Sequence, residues 1–195
     1  MLSRADRDVV ALTVLGLLTM GPKHTYEMHR LMIDTHKDFV TGLPRSMYHA
    51  VEKLQRDGLI EVVGTLRDGP RPERTVYALT GAGRAALKDR VGRLLRTPDA
   101  DSTLFVAALT FMACLPVPDV RAALDERAAT LHAAATAAAK ALEEIQAPRL
   151  LLIELEYQLA RDRAEKAWVD RIVADLVSGR LAWPDDPTEF IAQLP

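Results

Sequence analysis

The chain has 195 residues, of which 49% are hydrophobic and 27% are charged, and its formal net charge is −2. This balance is ordinary for a folded globular protein and excludes a largely disordered chain. The length favours one small module followed by a second helical region. Residues 1–90 carry 14 basic and 11 acidic side chains, a net +3, whereas residues 91–195 carry 11 and 16, a net −5. A bias of this size does not by itself indicate a nucleic-acid partner.

The first apolar run, Val9–Met20, follows two arginines and superficially resembles a secretory peptide. Two aspartates interrupt the cationic segment, and no small-residue cleavage site follows. We therefore interpret the run as a first core helix, with Ser3 or Asp6 near its N-cap and an end at Gly21. This interpretation predicts a cytoplasmic protein.

A second helix is predicted over Thr25–Asp34, with Thr25 as a candidate N-cap. Lys23 and His24 lie in the turn before it. Unpaired N–H groups at a helix start, beside a cation, suit a phosphate, so Lys23 and Tyr26 are candidate contacts to nucleic acid. The alternative that Lys23 and His24 are simply solvated remains open.

A third, short helix is predicted between residues 44 and 57. Met47, Val51 and Leu54 recur at i, i+4 and i+7 and form its apolar stripe, and Pro44 suits its first turn. The opposite face is polar and cationic; it carries Arg45, Ser46, His49, Lys53 and Arg56. A helix with these two faces can pack on a core and still present charge to a partner.

A β-hairpin follows this helix. Leu59–Gly64 and Thr75–Leu79 are rich in β-branched residues and predict two strands, joined by a charged turn that contains Gly and Pro. A cationic helix followed by a basic hairpin is the layout of a winged helix-turn-helix. In that fold the helix enters a major groove and the hairpin reaches along the phosphates.

This layout gives each candidate residue a predicted role. Arg45 can donate a bidentate pair to guanine, and Ser46, His49 and Lys53 can add base or phosphate bonds. Tyr48 is either half-buried in the core or a phosphate contact. The wing residues Arg67, Arg71 and Arg74 are expected at phosphates or in the minor groove; the alternative is that some of them pair with nearby carboxylates. The predicted DNA-binding residues are Lys23, Tyr26, Pro44, Arg45, Ser46, Tyr48, His49, Lys53, Arg67, Arg71 and Arg74.

Several short motifs occur in a characteristic order: Gly21-Pro22, Thr25-Tyr26-Glu27, Ser46-Met47-Tyr48, Gly58-Leu59-Ile60, Arg71-Pro72, Val76-Tyr77 and Leu79-Thr80 followed by Gly83-Arg84. In this order and spacing, about residues 9–90 resemble the PadR family of bacterial transcriptional regulators. Thr25 and Arg45 replace residues that are usually Gly in that family, and His49 replaces one that is often Pro or Arg. Because Arg45 and His49 lie on the predicted DNA face, the resemblance does not indicate which operator is read. It implies a dimeric, effector-responsive repressor that dimerises through its C-terminal helices.

The second half is predicted to be helical. A helix over residues 80–96 ends at a Thr-Pro-Asp break, which divides the chain into a DNA-binding domain (1–96), a helical dimerisation domain (97–182) and an acidic tail (183–195). The apolar run Ser102–Leu115 is shorter than the ~20 residues of a membrane span, so we expect a helix buried on most sides by two chains and no membrane association. The fold class is therefore mainly α with a small β-hairpin wing.

Two long helices follow, Asp119–Gln146 with an alanine-rich, coiled-coil-like seam and Arg149–Ser178. They have no obvious intramolecular core of adequate size, which predicts a homodimer. The predicted interface residues are Phe105, Leu109, Met112, Leu124, Leu131, Leu142, Leu152, Leu159, Trp168 and Ile172. Trp168 has a second interpretation, as a platform for a ligand, and in the tail Phe190, Ile191 and Leu194 are candidates to dock on the helices.

No motif for catalysis is found. The sequence lacks a Gly-rich phosphate loop, a Gly-x-Ser-x-Gly elbow and a Cys-x-x-Cys pair, so we expect no enzyme, cofactor or metal. The single cysteine, Cys114, is typical of a reducing compartment and has apolar neighbours that predict an inert thiol. The expected partners are a double-stranded DNA operator, a second copy of the chain and, from the resemblance, a small hydrophobic or aromatic effector. Two alternatives stay open: a winged-helix adaptor that binds protein rather than DNA, and a DNA-binding dimer that is titrated by another protein.

Overall fold

The computed structural model describes residues 1–34, 45–66 and 74–183. It is mainly helical with one three-stranded antiparallel sheet. The helices are α1 (Val9–Leu17), α2 (Thr25–Asp34), α3 (Arg45–Arg56), α4 (Gly81–Arg96), α5 (Ser102–Phe111), α6 (Val117–Glu144) and α7 (Ile153–Ser178). The strands are β1 (Lys23–His24), β2 (Ile60–Leu66) and β3 (Arg74–Leu79), and short 3-10 turns occupy Leu18–Met20, Met112–Cys114 and Arg149–Leu151. The predicted winged helix fold is confirmed, whereas the predictions for Pro44, Arg67, Arg71 and tail docking lie outside the described residues.

Helix α1 begins later than predicted. Its N-cap is Asp8, whose carboxylate accepts a hydrogen bond from the Ala11 N–H at 3.0 Å. Ser3 and Asp6 instead form a separate turn, in which the Ser3 hydroxyl donates to the Asp6 carboxylate at 2.7 Å. Helix α1 is buried from Ala11 onward because it is apolar on every side, and it lies at the centre of the N-terminal core.

The sheet connects the start of α2 to the wing. Strand β3 is central: Lys23 and His24 of β1 pair with Tyr77 and Val76, and β2 pairs along the other edge with a bulge near Val62. The expectation that Lys23 and His24 lie in a turn is therefore wrong. Two residues are too short a strand to produce a periodic signal, which is why only the three-dimensional structure reveals it.

Helix α4 begins where the wing ends. The Thr80 hydroxyl accepts from the Gly83 N–H at 3.0 Å, and the Thr80 N–H donates to the Leu59 carbonyl at 3.1 Å. A Cβ on Gly83 would lie 2.0 Å from that carbonyl oxygen. Glycine at this position lets α4 approach the backbone before β2 closely, so the Thr-x-x-Gly spacing fixes the helix against the sheet.

Helices α6 and α7 form a long antiparallel hairpin, and α4 packs against both α5 and α6. Leu124 and Leu131 of α6 and Leu159 and Val169 of α7 are buried within one chain. The expectation that the long helices lack an intramolecular core is therefore wrong, because each helix supplies the other's apolar partner. Within the described part of the chain, no helix combines the length and apolarity that crossing a bilayer requires.

Candidate nucleic-acid interface

Helix α3 has one buried and one exposed face. Met47, Ala50, Val51 and Leu54 are buried in the core that α1 and the sheet share. The opposite face exposes Arg45, Tyr48, His49, Glu52, Lys53 and Arg56. The exposed side chains recur at i, i+3 and i+4, so they form one continuous polar surface, here called the α3 face.

Two residues of the α3 face lie near carboxylates. The His49 imidazole lies 3.9 Å from the Glu52 carboxylate, and the Lys53 ammonium lies 3.5 Å from the Asp8 carboxylate at the start of α1. Exposed pairs of this kind contribute little to stability, so a phosphate can replace the carboxylate at small cost. The pairing with Asp8, which the sequence pattern did not predict, places Lys53 at the edge of the α3 face.

An aromatic and cationic column lies at the start of α2. The His24 Nδ1 accepts a hydrogen bond from the Glu27 N–H at 3.1 Å, which caps the helix in place of Thr25. The His24 ring stacks on the Tyr26 ring, with 6.2 Å between their centroids. The Arg74 guanidinium lies 5.4 Å from the centroid of the Tyr26 ring. Tyr26 is 56% exposed, so the column joins α2 and the first residue of β3 at the surface.

Lys23 is less available than the sequence suggested. Its side chain is only 13% exposed, and its ammonium lies 3.6 Å from Glu27 and 3.4 Å from the Met20 carbonyl. These two partners already satisfy its charge. Tyr48 is 53% exposed, which favours a surface role over the half-buried alternative.

The N-terminal segment beneath these elements is held on α4 by charged groups. The Arg93 guanidinium lies 2.9 Å from the buried Asp6 carboxylate, and Arg90 donates to the Ala5 and Asp8 carbonyls. Burial alone would raise the pKa of Asp6, but hydrogen bonds from Ser3 and Arg93 outweigh it and hold the pKa below its ordinary value. This network positions Asp8, and with it both α1 and the partner of Lys53.

The predicted dimer residues divide into two groups. Phe105, Leu124, Leu131 and Leu159 are buried within one chain, whereas Leu109, Met112, Leu142, Leu152, Trp168 and Ile172 are half-buried. The dimer interface stays a prediction. Sequence reasoning missed a group of exposed apolar side chains that surround the turn between α6 and α7: Ile145, Leu150, Leu151, Ile153 and Tyr157. The apolar run directly after the Ala-Pro break was the available signal.

The three surfaces that a winged helix uses on DNA are thus assembled from α2, α3 and the base of the wing. Residues 14–89, which contain all three, match the family model described as the transcriptional regulator PadR-like family. This part of the chain is similar to the PadR-like family. The match confirms the resemblance and supports transcription regulation and DNA binding as the role of the chain. No protein with a curated description matches the chain significantly.

Solved structures similar to this chain include PadR-like regulators. Bacillus subtilis PadR in complex with operator DNA is 21% identical over 86% of this chain and 99% of its own, with a TM-score of 0.43. The protein smu.1604c from Streptococcus mutans UA159 is 21% identical over 84% and 98%, with a TM-score of 0.38. Bacillus subtilis PadR in complex with p-coumaric acid is 20% identical over 86% and 98%, with a TM-score of 0.39. These TM-scores are low, so the arrangement of helices described above rests on this chain's own structure.

Proposed function

We propose that this PadR-like protein is a homodimeric, sequence-specific repressor that binds an inverted-repeat operator and is released by a small hydrophobic or aromatic effector. The observation that carries the proposal is the two-faced helix α3, which buries Met47 and Leu54 while exposing Arg45, His49 and Arg56. A recognition helix must expose a polar surface to base edges without giving up its place in the core. Helix α2 and strand β2 of the wing both contact this helix, as phosphate-contacting elements would.

Five surface side chains have a stated role in this proposal. Arg45 lies at the first residue of α3, where recognition helices contact bases, and its fork suits the two acceptors of guanine. His49 follows one turn later and addresses the next bases. Lys53 and Arg74 contact phosphates, and Lys53 exchanges Asp8 for a phosphate oxygen when DNA arrives. The Tyr26 hydroxyl donates a hydrogen bond to the DNA backbone beside the phosphate that Arg74 contacts.

We assign dimerisation to the C-terminal domain, residues 97–182, and in particular to the exposed apolar residues at the α6–α7 turn, here called the hairpin-tip cluster. Leu150 is 77% exposed and Tyr157 is 68% exposed, and they lie beside the half-buried Leu142 and Leu152. An apolar cluster of this size on a surface marks an interaction site, and a two-fold homodimer is the commonest occupant. Such a dimer presents two α3 helices to major grooves about 34 Å apart.

DNA binding is tested by fluorescence anisotropy with the chain's own promoter region and a scrambled duplex across a salt series. We expect strong preference for the promoter and its loss in Arg45→Ala. The control Arg121→Ala removes an exposed arginine of α6 and should bind like the wild type. Lys53→Ala should weaken binding to all duplexes and lower the salt slope by about one. Equal, feeble binding of the wild type to both duplexes contradicts the proposal and favours the adaptor.

Dimerisation is tested by sedimentation. The double variant Leu150→Asp, Ile153→Asp changes side chains that are already exposed, so it should fold but sediment as a monomer and bind the full operator weakly. Val177→Asp is the matched control, because Val177 is equally exposed at the opposite end of α7. If the double variant remains a dimer, the interface does not lie at these residues. A monomeric wild type would contradict the proposal of a homodimer.

The effector is proposed to bind an open groove between the start of α6 and the end of α7. The groove has a volume of about 550 Å³, and Val117, Pro118 and Leu176 supply apolar walls beside the Arg121 guanidinium. The apolar walls suit an aromatic ring, and a carboxylate on it would take the place of Asp125, which lies 3.6 Å from the Arg121 guanidinium in the same groove. A panel of aromatic carboxylic acids should release DNA from the wild type and not from Arg121→Ala. If no acid of the panel releases the DNA, the alternative of a DNA-binding dimer that is titrated by another protein is favoured.

A further inference from the structure

One arginine is fully enclosed at the junction between α4 and the helical hairpin. Arg127 of α6 is 2% exposed, and its Nη1 donates to the carbonyls of Leu94 at 3.1 Å, Leu95 at 3.2 Å and Thr97 at 3.1 Å. These carbonyls belong to the end of α4, where no further turn of helix supplies N–H partners. A side chain from α6 therefore caps the C-terminus of α4.

The other edge of the same guanidinium contacts two more helices. Its Nε donates to the Glu165 carboxylate of α7 at 2.6 Å, and the Phe105 ring of α5 lies 3.6 Å beneath its Cζ. Trp168 of α7 meets the Phe105 ring edge-on at 6.0 Å. The guanidinium of Arg127 on α6 thus contacts α4, α5 and α7.

The directions of these bonds matter more than the volume that the side chain fills. An apolar residue of similar size can fill such a space with equal or better stability, but it does not fix the orientation of its neighbours. The guanidinium fork holds the end of α4 and the Glu165 carboxylate in one plane. Helix α4 is tied at its other end to the wing by Thr80 and along its length to the N-terminal segment by Arg90 and Arg93. One route from the α3 face to the hairpin therefore runs through α4 and Arg127, and a second runs through α5, which packs on α1.

We propose that Arg127 and Glu165 are positioning residues that set the angle between the DNA-binding domain and the α6–α7 hairpin, and through it the half-site spacing that the dimer accepts. This inference rests on the proposed function, because spacing has meaning only for a dimer on an inverted repeat. Neither residue contacts DNA. The pair fixes how far apart two α3 helices stand, since the hairpin carries the two-fold contact and α4 carries the winged helix.

The test uses the full-length dimer and a duplex selected by the wild type from a random pool. Four derivatives keep the half-sites and change the spacer by one or two base pairs in each direction, and a fifth carries a single half-site. The variants are Arg127→Met, Arg127→Lys and Glu165→Gln. The matched control is Arg171→Met, which changes an exposed arginine of α7. Circular dichroism and sedimentation first establish the folded dimeric fraction of each variant at low temperature.

We expect Arg127→Met and Glu165→Gln to bind the single half-site within about twofold of the wild type and the preferred full site at least about tenfold more weakly, because the avidity of two linked sites is lost. Their spacing optimum should flatten, and Arg127→Lys should fall between them and the wild type. Loss of stability alone would lower binding to all duplexes in proportion and leave the spacing optimum unchanged. If Arg127→Met does not fold, Glu165→Gln decides, because it keeps the volume and a hydrogen-bond acceptor for Nε.

The possible failures are distinguishable. A wild type with a sharp spacing optimum that the variants share overturns the positioning role and leaves the proposed function standing. A wild type that binds one half-site as tightly as the full site overturns both, and this result appears before any variant is measured.

Discussion

Replacing Gly83 by alanine should destabilise the fold, because the start of α4 lies too close to the backbone before β2. A Cβ at this position would lie 2.0 Å from the Leu59 carbonyl oxygen, whereas ordinary contacts begin at 3.4 Å, so the two backbones must separate by most of that difference. The Leu59 oxygen belongs to the backbone and cannot rotate away as a side chain would. Both the helix start and the wing therefore have to shift.

The cost follows from the hydrogen bonds at this contact. The Leu59 carbonyl accepts from the Thr80 N–H at 3.1 Å and from its hydroxyl at 3.0 Å, and the hydroxyl in turn caps the Gly83 N–H at 3.0 Å. Weakening three bonds of about 1 kcal/mol each costs about 3 kcal/mol. Alanine has a higher helix propensity than glycine, which offsets up to about 1 kcal/mol of this loss. The net loss is about 2 kcal/mol, or about 4–8 °C in Tm for a chain of this length.

Thermal and urea denaturation at fixed protein concentration measure this effect. The matched control is Gly81→Ala, two residues earlier in the same turn, where an added Cβ meets nothing within 4 Å. That variant should be neutral or slightly more stable. If Gly83→Ala is as stable as Gly81→Ala, the close approach does not hold α4 against the wing, and the reasoning for the Thr-x-x-Gly spacing fails.

Three further predictions concern the core and its charges. Asp6→Asn should lower the free energy of unfolding by about 1.5–3 kcal/mol at neutral pH. Because the pKa of Asp6 is lower in the folded chain than in the unfolded chain, the carboxylate stabilises the fold above its ordinary pKa, and this stabilisation is lost as pH falls through the folded pKa. The acid unfolding curve of the variant should therefore be flatter than that of the wild type. Gly16→Ala places a Cβ 2.3 Å from the Phe111 ring and should lower the free energy of unfolding, measured in urea, by about 1–3 kcal/mol. Adding Phe111→Leu should partly restore the stability. An unchanged urea midpoint in Gly16→Ala would contradict the packing of α5 on α1. Burial raises the pKa of the Cys114 thiol to about 11, so at pH 8 iodoacetamide should alkylate it at least about a hundredfold more slowly than in urea, and rapid labelling of the folded chain would refute its burial.

Apart from the two-residue strand β1, the helix and strand positions in the N-terminal half were predictable because local rules agree there. The stripe of Met47, Val51 and Leu54 has one period, and Gly21 adopts a positive φ of 98° where the first helix was expected to end. The N-cap of α1 was not predictable, because Ser3, Asp6 and Asp8 are all good caps and only the contact of Asp6 with α4 decides among them. Candidate residues on the α3 face followed from the same stripe, whereas their partners come from elements distant in sequence.

The helical half shows where sequence reasoning reaches its limit. An apolar seam predicts a partner helix but does not say whether that helix belongs to the same chain or to a second copy. Arg127 lies between Leu124 and Leu131 on the buried stripe of α6, and this charge inside the seam was not predicted from the sequence. A buried charge requires a partner, but Glu165 is 38 residues away, and only the register of the α6–α7 hairpin brings the two together. The residue that breaks the seam is therefore one that joins α4 to the α6–α7 hairpin, and the half-site spacing experiment tests that connection directly.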